Sequence, residues 1–401
     1  MHPRLLTKQL SKGRRLLSIG QQTRRQQKMG DDQQAEQGSS PPLPLSQASG
    51  IPSPSTVPPS SSISAQPPFT SPPTASQQTP TSPQLALHDP INGANFQPIF
   101  HSMIPSLDEG LHKGSAGRIG IIGGSRFYCG APYYAAMSAL RLGGDLVYVI
   151  STKVASVPIK NYSPELIVCP VLDTHDALIE IAQLLPKIHS LVIGPGLGKE
   201  GDVYKVVIKT VEMAKEQKIP IVFDADAMFL ITRCPDMVRG YKRAMITPNS
   251  KEFDYLASKM GLPLVNSSAG EMALRDAVRA MAIKMEGVVV IRKGQTDIIS
   301  DGNSTVVCNM PGAPRRCGGQ GDVLAGACGL YAHWSTMALA RQRPMNPGIT
   351  PFLLAGYSAC AVTRAGANLT YKQTGRSMLT TDILTHLGGV YKFLNVGQRD
   401  Y

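Results

Sequence analysis

From about residue 95 onward the chain alternates short β-branched apolar runs with helical stretches, and this alternation constrains the fold more than any other feature. Strand candidates are Arg118 to Gly123, Leu146 to Ser151, Glu165 to Val171, Ser190 to Gly194, Pro220 to Asp224, Ala244 to Thr247 and Val288 to Arg292. Helix candidates lie between them: Ala131 to Leu142, Ala177 to Leu185, Asp202 to Gln217, Ser250 to Met260 and Glu271 to Met285. Such a pattern predicts an α/β fold, a mainly parallel sheet flanked by helices on both faces. Strands of that kind are buried on both sides and read as unbroken apolar runs, as residues 221–223 (IVF) and 288–291 (VVVI) do. Thr296 to Ser300 and Ser304 to Asn309, joined by Asp301-Gly302-Asn303, read as a hairpin, because Asp-Gly supplies the positive φ angles of a tight turn. Helices from Gly321 to His333, Pro351 to Ala365 and Thr381 to Phe393 complete a single domain, and no repeat is present.

The two ends of the chain differ in composition. Residues 1–30 hold eight Lys or Arg and no Asp or Glu, so they supply eight of the twelve net positive charges. The basic balance is therefore local, and nucleic acid is not an expected partner. Leu5, Leu6, Leu10, Leu16 and Leu17 can share a helical face in this Arg-rich, Gln-rich segment, which resembles a mitochondrial transit peptide; the plainer alternative is a disordered basic tail. Met29-Gly30 offers an internal start, so cytoplasmic and mitochondrial forms are both expected. Residues 31–90, rich in Ser, Pro and Gln, lack the apolar surface to offset ordering and are expected to be a disordered linker, leaving 91–401 as the folded domain. Seven scattered cysteines form no C-x-x-C pair, as in a reduced, intracellular protein. No apolar run approaches the roughly 18 residues that cross a bilayer, so a soluble protein without membrane partners is expected.

Chemistry concentrates in Gly312 to Gly326, GAPRRCGGQGDVLAG, between a strand and a helix. Gly318, Gly319 and Gly321 allow backbone N–H groups to turn inward at the positive end of that helix, which makes an anion hole suited to phosphate. Asp322 in the first helical turn can take a proton from a substrate hydroxyl while the hole stabilises a transferred phosphoryl group, and Arg315 and Arg316 can pair with phosphate oxygens. The bland alternative is a Gly-rich loop whose Asp only caps a helix. In the run Ile246 to Phe253 (ITPNSKEF), the i, i+3 spacing puts Asn249 and Glu252 on one face, where amide and carboxylate can meet hydrated Mg²⁺ and phosphate; ordinary helix capping is the alternative. Val289 to Asp297 is a buried strand ending in a polar turn from which Lys293 and Asp297 can reach a nucleotide, though Lys-Gly turns are commonplace. Gly123-Gly124-Ser125 and Gly194-Pro195-Gly196-Leu197-Gly198 are further turns after strands. Neither matches the dinucleotide fingerprint, and no P-loop occurs. Asp224 and Asp226 close another strand and can hold metal or substrate, or be only its polar end.

Taken in order, HKGSAGRIGIIGGS, GAPYYAAMSALRLGGD, VIGPGLG, FDADA, ITPNSKEF, KGQTD and RRCGGQGD resemble the ATP-dependent NAD(P)H-hydrate dehydratases of the ribokinase-like superfamily, over about residues 95–395. The run PRRCGGQGD is similar to the eukaryotic, ATP-using branch more than to the ADP-using bacterial one. Gly144 and Ala313 depart from the commoner residues of the family. The resemblance implies contacts to NADH hydrate or NADPH hydrate at Gly198, at Asn249, Ser250, Lys251, Glu252, Phe253, Asp254 and Tyr255, and at Asp322, the catalytic base. It implies ATP contacts at Lys293, Gly294, Gln295, Thr296 and Asp297 and at Gly312, Ala313, Pro314, Arg315, Arg316, Cys317, Gly318, Gly319, Gln320 and Gly321. Mg²⁺ is expected to arrive with ATP, and no residue set is assigned to a metal of its own. Two other readings stay open at this stage: a ribokinase-like kinase of a small alcohol such as a vitamin precursor, and a catalytically silent nucleotide-binding protein. Whether copies of the chain assemble into a homo-oligomer is also open.

Overall fold

In the computed structural model the apolar runs pair into one sheet. The structure describes residues 100, 103–105, 112–266, 268–341 and 349–394, so the expected basic segment and linker lie outside the described residues. The strands are β1 (Arg118–Ile122), β2 (Leu146–Ile150), β3 (Ile167–Cys169), β4 (Ser190–Ile193), β5 (Ile221–Phe223), β6 (Ala244–Ile246), β7 (Val289–Arg292), β8 (Asp297–Ser300) and β9 (Thr305–Cys308). They lie in the order β3-β2-β1-β4-β5-β6-β7-β8-β9. β1 to β7 are parallel, and the β8–β9 hairpin extends the sheet antiparallel to β7.

Helices fill the connections: α1 (Gly130–Arg141), α2 (Lys153–Tyr162), α3 (Ala177–Leu184), α4 (Gly201–Glu216), α5 (Asp226–Arg233), α6 (Ser250–Lys259), α7 (Glu271–Lys284), α8 (Gln320–Ala340), α9 (Pro351–Thr374) and α10 (Thr380–Phe393). Successive strand residues point to opposite faces, and both faces are covered. Ile119, Ile121, Val147, Val192, Val222 and Val289 pack beneath α1, α8, α9 and α10. Ile122, Ile150, Leu191, Ile193, Phe223 and Val290 pack beneath α4, α5, α6 and α7. Each large side chain removed from water in this way contributes about 1.5–3 kcal/mol.

Four helices depart from the expected pattern. α2 was not among the expected helices, and it carries Pro158 inside it; Thr152 starts it by accepting a hydrogen bond from the Ala155 N–H at 3.4 Å. α5 follows Ala225, whose φ of 48° reverses the backbone between Asp224 and Asp226. That conformation costs an L-residue on the order of 1–3 kcal/mol and persists where the surroundings over-determine it. α8 and α9 run beyond their expected ends at His333 and Ala365; neither extension contains a proline, and α9 continues through Gly366.

The strand order reverses direction between β1 and β4: the chain builds outward through β2 and β3, then returns to place β4 on the other side of β1. Connections leave such a point in opposite directions and open a crevice at the carboxyl ends of the two strands, where ligands of open α/β sheets bind.

Candidate active site

The turns after β1 and β4 close on each other at that reversal. The Gly124 N–H donates to the carbonyls of Pro195 and Gly196, both at 3.1 Å, and the Thr152 hydroxyl donates to the Gly124 carbonyl. Gly194 has φ of 124°, and a Cβ there would lie 1.8 Å from the Asp224 carbonyl oxygen, so only glycine lets the β4 turn sit against the end of β5. Gly198, expected to touch the substrate, donates its N–H to Asp226 Oδ2 at 2.9 Å.

Asp224 ends β5 almost wholly buried, at 1% exposure. Its Oδ1 accepts from the Thr247 hydroxyl at 2.6 Å and from Lys293 Nζ at 2.6 Å. The Lys293 N–H in turn donates to the Pro248 carbonyl at 2.9 Å, so β6 and β7 carry their turns to the same point. Burial pulls the Lys293 ammonium down, but the charges of Asp224 and Glu252 outweigh it, and its pKa ends above the ordinary value.

The capping alternative for Asn249 and Glu252 is realised in full. Asn249 Oδ1 accepts from the Glu252 N–H at 3.0 Å, and Glu252 Oε2 accepts from the Asn249 N–H at 2.8 Å. This box holds the Glu252 carboxylate toward Lys293. Burial raises its pKa, Lys293 opposes the rise, and Asp224 and Asp226 add to it. The rest of the ITPNSKEF helix diverges. Phe253 is buried in the core with the Arg292 guanidinium 5.6 Å from its ring centre, while Lys251 and Tyr255 are exposed and Ser250 and Asp254 half-buried on other faces. Side chains around a helix leave it in different directions, so Asn249 to Tyr255 have different surroundings.

At the far side of the crevice stands the loop from Gly312 to Gly321. Gly319 has φ of 97°, and its Cα faces the ring of Tyr134 on α1: an added Cβ would come within 2.7 Å of Tyr134 Cδ2. The loop is tied down by the Thr380 hydroxyl, which donates to the Gly318 carbonyl at 2.6 Å, and by Gln320 Nε2, which donates to the Arg315 carbonyl at 3.2 Å and to Cys317 Sγ at 3.3 Å. Arg316 and Pro314 are exposed and Ala313 is half-buried. Arg315 Nε is buried without a partner among the described residues, an orphaned donor of the kind that an anion would satisfy.

Asp322 follows in the first turn of α8. A Cβ at Gly321 would lie 3.7 Å from Lys293 Nζ and 3.8 Å from Asp224 Oδ2, which puts the ion pair directly beneath this turn. The pKa of Asp322 is pushed up to about 7, first by burial and next by the Asp224 charge, against the pull of Lys293. A carboxylate poised near neutrality at a helix N-terminus, beside an anion-holding loop, can accept a proton and serve as a general base. In the β7–β8 turn, Gln295 is exposed and Gly294 and Thr296 are half-buried, but the Asp297 carboxylate faces inward. Its Oδ1 accepts from the Gly294 N–H at 3.0 Å and its Oδ2 from Arg364 Nε at 2.6 Å.

The family model for NAD(P)H-hydrate dehydratase matches residues 119–388, which span β1 to α10 and every group just described. The chain belongs to the NAD(P)H-hydrate dehydratase family. It is 43% identical to the ATP-dependent (S)-NAD(P)H-hydrate dehydratase of Ciona intestinalis, over 72% of this chain and 78% of that one, and 41% identical to the protein of that name in Bos taurus, over 74% and 88%. Two solved structures share the fold. A ribokinase-like superfamily protein from Enterococcus faecalis aligns with a TM-score of 0.60 at 21% identity, over 75% of this chain and 95% of its own. The ADP/ATP-dependent NAD(P)H-hydrate dehydratase of Bacillus subtilis, co-crystallized with ATP/Mg²⁺, aligns with a TM-score of 0.56 at 19% identity, over 74% and 97%. The sheet and its flanking helices are thus ribokinase-like, as the motifs of this NAD(P)H-hydrate dehydratase family member implied.

Sequence reasoning pointed to Asp224, Lys293, Asn249, Glu252 and Asp322, and the structure gathers them around one crevice. It missed Tyr134, which no motif distinguishes from its neighbour Tyr133, and Arg364, which lies in a helix with no motif at all.

Proposed function

We propose that this protein repairs hydrated NADH and NADPH of the S form, using ATP to remove the added water and restore NAD(P)H with release of ADP and phosphate. The observation that carries this reading is the half-buried Asp322 carboxylate, with a pKa near neutrality, at the glycine-rich start of α8 and over the Asp224–Lys293 pair. Membership of the family and the names of its relatives support it.

The chemistry follows from the leaving group. The hydrate carries its hydroxyl on C6 of the reduced nicotinamide ring, and hydroxide departs poorly. Asp322 takes the proton of that hydroxyl, whose oxygen attacks the γ-phosphorus of ATP, with ADP leaving. Backbone N–H groups of Gly318, Gly319 and Gly321 stabilise the charge on the transferred phosphoryl group, and Lys293 adds a positive charge beside them. Phosphate then leaves from C6 as the ring nitrogen's lone pair forms the new π bond and a ring proton is lost. No second substrate oxygen is needed, and the dihydronicotinamide is restored.

Among the described residues no cluster of three metal-ligating side chains closes on one point. Mg²⁺ binds largely through substrate phosphates and one or two carboxylates and needs no such cluster. Glu252 would hold it, since Asn249 occupies only Oε2, and when bound the ion neutralises phosphate charge. A cytoplasmic and a mitochondrial form, with the catalytic unit in residues 91–401, remain part of this reading.

The test is to supply the purified protein with (S)-NADH hydrate, Mg²⁺ and ATP, following the near-ultraviolet absorbance of reduced nicotinamide together with phosphate. Absorbance and phosphate rising in step, only with ATP, is the expected result. Consumption of ATP with a stable phosphoester would make the protein a small-molecule kinase instead.

A further inference from the structure

We propose that Arg364 on α9 is a positioning residue that clasps the β7–β8 turn to the loop before α8 and so fixes the spacing of the two segments that hold ATP. This rests on the proposed function for the identity of the nucleotide. One guanidinium makes three donations: Nε to Asp297 Oδ2 at 2.6 Å, Nη2 to the Gly294 carbonyl at 2.9 Å, and Nη1 to the Met310 carbonyl at 3.3 Å. Asn368, one turn further along the same face of α9, donates from Nδ2 to the Gly312 carbonyl at 3.1 Å. The first two acceptors belong to the turn after β7. The other two lie where the chain leaves β9 and begins the glycine loop.

The geometry separates this role from general packing. α9 is already held in the core by a buried apolar face that includes Leu353, Leu354, Tyr357 and Val362. Arg364 and Asn368 add nothing to that face and instead spend their donors on loop carbonyls. Asp297 converts the arrangement into a closed ring, because its other oxygen takes the Gly294 N–H, so the turn is gripped through both its N–H and its carbonyl. A planar guanidinium presents donors in several fixed directions at once, which a lysine ammonium on a flexible stem does not. Arg364 touches neither Asp322 nor Lys293 among its hydrogen-bond partners, so its effect reaches the chemistry through backbone placement.

The experiment uses the full chain and its Arg364→Lys and Asn368→Ala variants. Asn368→Ala removes one neutral hydrogen bond, and Arg364→Lys keeps the charge opposite Asp297, so both are designed to fold. Steady-state rates are taken with ATP and hydrate varied separately, and ATP binding with Mg²⁺ is measured by calorimetry without hydrate. Arg364→Lys is expected to raise both the KM and the Kd for ATP roughly tenfold or more, and Asn368→Ala severalfold, with the KM for hydrate and the melting temperature close to the parent's. Unchanged ATP constants in both variants, or ATP and hydrate constants rising together, would overturn the clasp. If the parent binds ATP but leaves the hydrate untouched, the proposed function fails while the calorimetry still decides the clasp. If the parent binds no ATP, both are overturned.

Discussion

Lys293 and Asp224, 69 residues apart in the chain, form an ion pair of 2.6 Å directly beneath the first turn of α8. Neither residue is informative alone: a lysine after a strand and an aspartate at a strand end are both common. Their meeting gives the crevice a cation placed among Asp224, Glu252 and Asp322.

Replacing Lys293 by Met leaves Asp224 buried with only the Thr247 hydroxyl for company. Breaking a buried pair from one side costs about 3–5 kcal/mol, so Lys293→Met should lower the urea midpoint accordingly. The double variant Asp224→Asn with Lys293→Met should recover part of that loss. Equal stability of the parent and the single variant would mean that the pair is solvated.

Asp322 must be ionised to accept a proton, and its pKa is pushed up to about 7. Turnover under kcat/KM conditions should therefore rise with pH through about 7 and level off above it. Asp322→Asn should reduce turnover by about a hundredfold to ten-thousandfold, and the remaining activity should lose that rise.

The same raised pKa carries a stability consequence. The unfolded chain releases this proton near the ordinary carboxylate pKa, while the folded protein retains it up to about 7, so folding is penalised increasingly between those values and fully above the upper one. Asp322→Asn should melt at a higher temperature than the parent at pH 8, with the gap closing as the pH falls toward 4. A gap that widened on acidification would reverse the sign and contradict the burial argument.

Glu252 has two duties that one substitution separates. Glu252→Gln keeps an acceptor for the Asn249 N–H and so preserves the capping box, leaving stability within about 0.5 kcal/mol. The lost charge should raise the Mg²⁺ concentration needed for half-maximal turnover. A large fall in melting temperature with unchanged Mg²⁺ dependence would assign Glu252 to capping alone.

Gly319→Ala tests the anion loop. The new methyl would enter the Tyr134 ring at 2.7 Å, and φ of 97° is costly for alanine, so the loop must shift. Losing even one aligned backbone donor should slow turnover on the order of a hundredfold or more. Adding Tyr134→Ala relieves the clash but not the φ strain and should restore little.

What could be read from the sequence follows a physical division. Strand positions were legible, because runs such as Ile221 to Phe223 and Val289 to Ile291 need no partner to declare themselves buried, and Asp301-Gly302 marked the hairpin. The end of α8 was not legible. Its burial comes from α1, α9 and the sheet closing around it, and nothing local sets its length. The chemical residues divide in the same way. Asn249 and Glu252 are three apart, and helix geometry alone brings them together. Asp224 with Lys293, or Arg364 with Asp297 67 residues earlier, meet only once the sheet has ordered its strands.

α8 is buried along most of its length, from Val323 through Ala338, with the indole of Trp334 donating to the Ala116 carbonyl at 2.6 Å. The proposed base of the reaction is thus mounted on the central pillar of the domain rather than on a hinged flap. Asp322 sits one residue before that buried stretch, so its position is set by a helix that the core holds. Heat should therefore abolish catalysis and cooperative structure in one transition, with no interval in which the protein is folded but idle.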